Sequence, residues 1–333
     1  MFFPQIVQGP IPRYGQLGEQ LYQGHRFDEK CFVKGVQLIL WGFFLKLMIT
    51  NRSAIIVNTI FDNPQKYAGW YVAVGGVLYS LQLYTDFLAC ITISQGVAGV
   101  FGIELVDNFK RPYFSTSVKE FWRRWHISLS EWLRDYIYIP LGGSRKGKIP
   151  KFINLIITFL VSGIWHGSGI KFLFWGLMHA VYQIVGEITA NIKNRMYIRI
   201  GLPEQSGVRT AIKRLGVFVW VTLAWIVFRA DSLKNGLLMI KSLFTVYNPW
   251  IFFDDELLKM GLDWKEWCIL TVSTVILISV SRKQEKGLHI RTLILNNPFY
   301  VRWGIYIFAV IIIMIFGIYG IGFNAQDFIY GGF

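Results

Sequence analysis

Apolar runs close in length to a bilayer crossing recur along the chain. They cover residues 33–49, 68–103, 151–165, 170–190, 215–228, 266–281 and 301–321. Because roughly 20 apolar residues of helix cross a bilayer, each run predicts a buried or membrane-spanning helix. The second run is too long for one simple span. Gly75, Gly76, Gly96 and Gly99 predict that this run is bent or divided.

Two further stretches are amphipathic rather than apolar. Residues 118–138 and 232–246 place large apolar side chains at helical spacing and charged side chains on the remaining surface. This pattern predicts helices that lie at the membrane interface. The sequence contains no internal repeat and no separate soluble domain. We therefore expect an all-α, multipass integral membrane protein with one membrane-embedded domain over residues 1–333.

Composition narrows the class of protein. Hydrophobic residues make up 53% of the chain and charged residues only 16%, whereas a soluble domain carries about a quarter charged residues. This excludes a soluble globular enzyme and a disordered chain. The net charge of +14 is dispersed between the apolar runs, which favours contact with lipid head groups and argues against a nucleic-acid partner. Three widely separated cysteines imply no disulfide framework and no metal site.

The charge of the loops predicts a topology. Residues 108–151 and 191–214 are rich in Lys and Arg, so both segments are expected on the cytoplasmic side. The two apolar runs between them then form a hairpin that enters from this side and returns to it, with its tip at residues 166–169. Residues 231–265, which are balanced or acidic, are expected outside.

His166 is the ionisable residue at the tip of this hairpin, in Trp165-His166-Gly167. The helical rise places it roughly 22 Å from the cytoplasmic boundary of an apolar layer about 30 Å thick. An ionisable group at this depth usually lines a water-filled cavity or a substrate path. The alternative is a neutral core histidine that donates a hydrogen bond to a backbone carbonyl.

His126 lies at the edge of the apolar face of the 118–138 stretch. Interfacial helices of this kind usually only anchor a protein, so a catalytic or substrate-orienting role is one of two interpretations. Asp86 is the only charged residue between Lys66 and Glu104. It must be paired, hydrogen-bonded or hydrated, and it either caps a helix break or lines a polar path.

A glycine-rich basic segment follows the amphipathic stretch that contains His126. Residues 140–148 read Pro-Leu-Gly-Gly-Ser-Arg-Lys-Gly-Lys, and such a backbone with cations suits contact with phosphates. A plain cytoplasmic turn explains the segment equally well.

Several motifs together resemble one family. They are Phe3-Pro4-Gln5 with Gly9-Pro10, Tyr84-Thr85-Asp86-Phe87, Asn108-Phe109-Lys110-Arg111-Pro112-Tyr113, the Phe121-to-Ser130 run, the Arg134-to-Gly143 run, Trp165-His166-Gly167 and Trp225-Ile226-Val227-Phe228-Arg229-Ala230. The chain resembles the membrane-bound O-acyltransferases over essentially its whole length. Within them it is most similar to the bacterial alginate O-acetyltransferase branch, which is related to the D-alanyl transfer protein of teichoic acid synthesis.

The resemblance implies a helical scaffold with interfacial and re-entrant helices around a polar tunnel. An acyl group then passes from a cytoplasmic thioester, such as acetyl-CoA, to a hydroxyl outside, with no bound cofactor or metal. The histidine of the Trp-His-Gly motif, His166, is implied to be catalytic, and His126 is the second functional histidine. The implied tunnel-lining positions are Asp86, Tyr84, Trp165, Arg123, Arg124 and Ser128. The implied donor-side loop contains Gly142, Gly143 and Arg145.

Two departures from the family pattern bear on function. Leu88-Ala89-Cys90-Ile91-Thr92-Ile93 replaces the usual Ser-Gly-Tyr-Ser-Asp-Met, so a second acidic position is absent and Asp86 stands alone. Family members also have several transmembrane helices before the Phe-Pro-Gln motif, so we expect a chain truncated at its N-terminus relative to the family.

The function predicted from the resemblance is acetylation of an exported cell-surface polysaccharide in the bacterial inner membrane. The expected partners are membrane lipid, the acyl donor, the polysaccharide acceptor and an extracytoplasmic acetyl-transfer protein. D-alanyl transfer to teichoic acid is the alternative within the family. Two alternatives lie outside enzymatic transfer. One is a transporter that uses His166 and Asp86 as an ion path, and the other is an inactive remnant.

Overall fold

The fold is all-helical throughout the part of the chain that the computed structural model describes, residues 2–6 and 9–319. Its α-helices in chain order are α1 (Tyr14–Tyr22), α2 (Glu29–Phe44), α3 (Asn51–Phe61), α4 (Trp70–Val100), α5 (Val118–Arg124), α6 (Ile127–Leu133), α7 (Lys148–His166), α8 (Ile170–Ile188), α9 (Ala190–Arg199), α10 (Gly207–Arg229), α11 (Leu233–Thr245), α12 (Trp264–Glu285), α13 (Ile290–Leu295) and α14 (Phe299–Phe316). A π-helical segment, Leu45–Thr50, joins α2 to α3, and another, Arg134–Tyr138, follows α6.

Six helical segments in residues 9–319 are long and apolar enough to cross a membrane. They are Glu29–Phe61, Trp70–Val100, Lys148–His166, Gly207–Arg229, Trp264–Glu285 and Phe299–Phe316. The chain is therefore a multipass membrane protein, as the apolar runs predict. Helix α11 coincides with the predicted amphipathic stretch at 232–246.

Helix α4 runs without a break for 31 residues, so the second run is not divided, while a bend in it stays a prediction. Its glycines serve close packing. A Cβ on Gly96 would overlap the backbone carbonyl of Gly35, and a Cβ on Gly75 would press against Ile60. Glycine here allows two helices to approach closely, which does not require a kink.

The predicted helix over residues 118–138 is divided, which also differs from expectation. Helix α5 ends at Arg124, and α6 begins at Ile127. Between them the backbone leaves the helical region, because Trp125 forms an isolated antiparallel bridge with Phe109. Helical periodicity within 118–138 cannot show this pairing with a distant segment.

The described chain forms two compact units, and the prediction of one continuous domain stays a prediction. The first unit comprises residues up to Thr59, Leu78–Asp107 and the chain from Pro249 onward. Two ionic contacts stabilise it. The buried guanidinium of Arg52 lies 2.5 Å from the partly exposed carboxylate of Glu266, and buried Lys46 pairs with buried Asp86.

The second unit contains residues 60–77 and 108–248, including the predicted hairpin. Helices α7 and α8 lie antiparallel, separated by three residues. Added Cβ atoms on Gly163 and Gly176 would overlap the backbone carbonyls of Phe172 and Phe159 respectively. The two helices therefore pack backbone against backbone, which fixes the position of His166 at the end of α7.

Candidate functional site

A cluster of buried aromatic rings fills the centre of the second unit. Trp175 from α8 stacks on Trp225 from α10, with 5.7 Å between ring centroids. Trp125, which follows α5, contacts Trp225 at 5.2 Å. All three indoles are almost fully buried. The cluster thus joins the hairpin, α10 and the Trp-rich segment into one rigid support.

His166 lies on the edge of this support. It is the last residue of α7, and the helix ends there because Gly167 adopts φ +152°, a conformation that favours glycine. Its imidazole meets the indole of Trp175 edge to face at 5.1 Å and the ring of Phe228 at 5.3 Å. Only 4% of His166 is exposed.

Trp165 links the two histidines that the sequence singles out. Its indole lies 4.8 Å from the ring of His166 and 5.8 Å from the ring of His126, both nearly perpendicular to it. His126 is also only 4% exposed, whereas 49% of Trp165 is exposed. Two buried imidazoles therefore contact one partly exposed indole, although 40 residues separate them in the chain.

His126 reaches this place through an unusual backbone conformation. Its φ of 45° and ψ of 56° are left-handed, and it occupies the break between α5 and α6. Burial lowers the pKa of His126 to about 3, with a smaller contribution from the neighbouring His166. Its imidazole is therefore neutral at pH 7.

His179, in α8, is held in the same cluster. The indole N–H of Trp122 donates a hydrogen bond to Nδ1 of His179 at 3.2 Å. Since Nδ1 accepts, the proton of the neutral ring resides on Nε2. The ring also contacts Trp175 at 5.0 Å. These contacts are those of a core side chain.

This arrangement suits group transfer to a hydroxyl. A hydroxyl is a weak nucleophile until a neighbouring base takes its proton, and a neutral imidazole is the usual base. The sequence profile of the membrane-bound O-acyltransferase family matches residues 1–199, which include both histidines. The chain belongs to this family.

Curated members of the family are similar to the chain over much of its length. It is 34% identical over 251 residues to the probable alginate O-acetylase AlgI of Pseudomonas fluorescens, an alignment that covers 74% of this chain and 47% of that protein. It is 32% identical to the peptidoglycan O-acetyltransferase of Helicobacter pylori, over 73% of this chain and 45% of that protein. It is 31% identical to the teichoic acid D-alanyltransferase of Bacillus subtilis, over 54% of this chain and 48% of that protein. The chain thus spans about half the length of the curated relatives it matches.

Three of the tunnel-lining positions implied by the family resemblance lie within three residues of His126 in the chain, and they occupy different environments. Ser128 is buried and donates a hydrogen bond to Asn108. Arg124 pairs with Glu120 at 2.7 Å, while Arg123 on the same helix is exposed. Of these three predicted residues, Ser128 is the one in the buried region next to His126.

The predicted donor-side loop lies at the opposite end of α7 from His166. Gly142 and Gly143 both take positive φ, and Arg145 is exposed. The side-chain amide of Asn154 donates to the carbonyl of Gly143 at 3.0 Å, which ties the loop to the start of α7. Since α7 rises about 1.5 Å per residue over 19 residues, this loop and His166 mark two separate regions of the second unit.

Tyr84 and Asp86 belong to α4 within the first unit, and both are buried. The carboxylate of Asp86 accepts a hydrogen bond from the ammonium of Lys46 at 2.6 Å. Of the three states that the sequence leaves open for this carboxylate, the structure therefore shows a paired one. A role of either residue in a substrate path stays a prediction.

Proposed function

We propose that the chain is the histidine-bearing part of a membrane O-acyltransferase that passes an acetyl group from a thioester to hydroxyls of an exported cell-surface polysaccharide. The contact of both His126 and His166 with the indole of Trp165 carries the proposal. Family membership adds the reaction class, and the relatives named above add the acetyl group and a glycan acceptor. We place the enzyme in the bacterial inner membrane.

In the proposed reaction His166 acts as the general base. Its imidazole takes the proton of the acceptor hydroxyl while the oxygen attacks the thioester carbonyl. A C–O ester bond forms, the C–S bond breaks, and the imidazolium returns the proton to the departing thiolate. No oxidant or reductant is needed. His126, which is neutral at pH 7 and also contacts Trp165, orients the hydroxyl or the carbonyl.

Acetyl-CoA is the donor we propose, delivered from the cytoplasmic side. The loop of Gly142, Gly143 and Arg145 carries an exposed cation, the Arg145 guanidinium, that suits a phosphate-bearing carrier. A separate extracytoplasmic protein that completes transfer to the glycan is part of the same proposal. D-alanyl transfer is the second candidate, because the Bacillus subtilis relative is a D-alanyltransferase, but that similarity covers less of the chain.

Transfer of a radiolabelled acetyl group tests the proposal. Membrane vesicles that contain the chain receive labelled acetyl-CoA and an alginate or peptidoglycan acceptor, with and without the upstream segment of the Pseudomonas fluorescens relative produced separately. We expect label on the acceptor, and at least ~100-fold less with His166→Ala, the usual lower scale for losing a general base.

His289→Ala is the matched control, since this histidine is exposed at the start of α13. This variant should keep wild-type transfer. Absence of acetyl transfer from every preparation, with the chain inserted and folded, would overturn the proposal. Transfer of D-alanine instead of acetate would favour the second candidate.

A further inference from the structure

We propose that Asn108 is a positioning residue for His126, holding its imidazole beside Trp165 for the proposed acyl transfer, on which this inference rests. Asn108 lies just before the bridge that divides α5 from α6, and only 1% of it is exposed. It is not among the residues that the sequence predicts to act at the site, although it begins the Asn108-to-Tyr113 motif.

Asn108 binds the two residues that follow His126. Its backbone carbonyl accepts the N–H of Ile127 at 3.0 Å. Its side-chain oxygen Oδ1 accepts both the N–H of Ser128, at 2.9 Å, and the hydroxyl of Ser128, at 2.8 Å. One buried residue therefore satisfies the first two backbone donors of α6 and a side-chain donor.

The residues before His126 are tied to the same segment. The N–H of Lys110 donates to the carbonyl of Arg124 at 2.9 Å. Phe109 pairs with Trp125 in the antiparallel bridge, and their rings lie 5.0 Å apart. Residues 108–110 thus hold the chain on both sides of His126.

These bonds replace the ones that a continuous helix would make. In a helix the N–H of Ser128 would donate to the carbonyl of Arg124, four residues earlier. Here that carbonyl accepts from Lys110, and the Ser128 N–H donates to Asn108. This exchange removes the Ser128-to-Arg124 hydrogen bond that would span His126 in a helix. The backbone of His126 can therefore adopt a conformation that is not α-helical.

The conformation that results at His126 is one that residues with a Cβ seldom adopt. Among the described residues, Arg111 and His126 are the two non-glycine positions with positive φ; Arg111 directly follows residues 108–110, and His126 lies between the residues that they hold. Such conformations persist only where surrounding contacts hold them, and they concentrate at functional sites. A helical backbone at position 126 would turn the imidazole away from Trp165.

The test combines kinetics with a chemical measurement of where His126 lies. In membranes that contain the chain, Asn108→Ala should lower kcat for acetyl transfer by about 10- to 100-fold and change KM by less. Asn108→Asp keeps the oxygen that accepts both Ser128 bonds, so it should recover most of kcat. Asn191→Ala, an exposed asparagine in the same unit, should match the wild type.

Diethylpyrocarbonate labelling, read by peptide mass spectrometry, tests the inference even if the proposed function fails. Buried His126 should react slowly in the wild type and several-fold faster in Asn108→Ala, while His179 stays protected. Unchanged labelling of His126 together with unchanged kcat would overturn the inference. If Asn108→Ala opens the whole unit and exposes His179 as well, Asn108→Asp decides: protection of His126 supports the inference, and its exposure contradicts it.

Discussion

The ammonium of Lys46 lies 2.6 Å from the carboxylate of Asp86, and both side chains are buried between helices. Lys46 belongs to the π-helical segment between α2 and α3, and Asp86 lies on α4. Next to this ion pair, the hydroxyls of Thr50 and Thr85 are hydrogen-bonded at 2.8 Å. A π-helical segment widens the turn locally and often occurs at functional sites. The pair thus neutralises the one charge that the sequence leaves isolated in a long apolar run.

Removing one partner of this pair should destabilise the protein more than removing both. Lys46→Met or Asp86→Asn leaves the other group buried without its partner, at a cost of about 3–5 kcal/mol. The double variant Lys46→Met with Asp86→Leu should recover much of the melting temperature in detergent. A double variant that is stable but inactive would assign Asp86 to the substrate path. A double variant less stable than both single ones would show that the pair is not coupled.

The close packing of the hairpin makes a prediction about two glycines of α8. Gly176→Ala places a methyl group against the carbonyl of Phe159, so we expect a lower melting temperature and weaker transfer. Gly186→Ala is the matched control, because no atom lies within 4 Å of the added carbon. It should stabilise the helix by up to about 1 kcal/mol. Equal melting temperatures for the two variants would contradict the backbone contact.

His126 makes stability depend on pH in a defined direction. Its pKa is lowered to about 3 in the folded chain, against about 6.5 when unfolded. The unfolded chain therefore binds the proton first, and stability is complete above pH 6.5 and lost as the pH falls toward 3. This single group should remove about 1.5 kcal/mol between pH 6.5 and 5.

Melting curves across this pH range measure that effect. The fall in melting temperature should be smaller for His126→Gln than for the wild type, since glutamine does not titrate. His289→Gln, which changes an exposed histidine, should retain the wild-type slope. An unchanged slope in His126→Gln would mean that His126 is not buried as a neutral ring.

Cysteine labelling tests the predicted topology. Single cysteines at 147 and 205, both exposed positions, should react with a membrane-impermeant reagent from the cytoplasmic side, because α7 and α8 return the chain to the side from which it enters. A cysteine at 255 should react from outside. The chain's own Cys31, Cys90 and Cys268 are replaced first. Labelling of 147 and 205 from opposite faces would contradict the topology.

The sequence predicts those parts of the fold that depend on local pattern. Apolar run length locates the membrane helices, and two runs joined by residues 166–169 predict the α7–α8 hairpin. The Trp-His-Gly motif then places His166 at its tip. Each of these inferences depends on residues close together in the chain, where spacing and hydropathy carry the signal.

The parts that the sequence does not predict depend on long-range contacts. The break at His126 requires pairing with residues 108–110, which helical periodicity in 118–138 does not report. Lys46 lies inside a predicted apolar run, so the partner of Asp86 is not evident. The glycines of α4 predict a bend or a break from sequence, and only the neighbouring Gly35 and Ile60 show the close packing that these glycines allow.

The proposed reaction depends on His166 as the base that takes the hydroxyl proton. The most direct measurement is the turnover rate of acetyl transfer by His166→Gln, with insertion and melting temperature recorded in the same preparation. Glutamine fills similar space and hydrogen-bonds, but it does not accept a proton at neutral pH. We expect a folded, inserted protein whose turnover falls at least ~100-fold. Wild-type turnover by His166→Gln would contradict this role and leave the histidine only a role in shaping the end of α7.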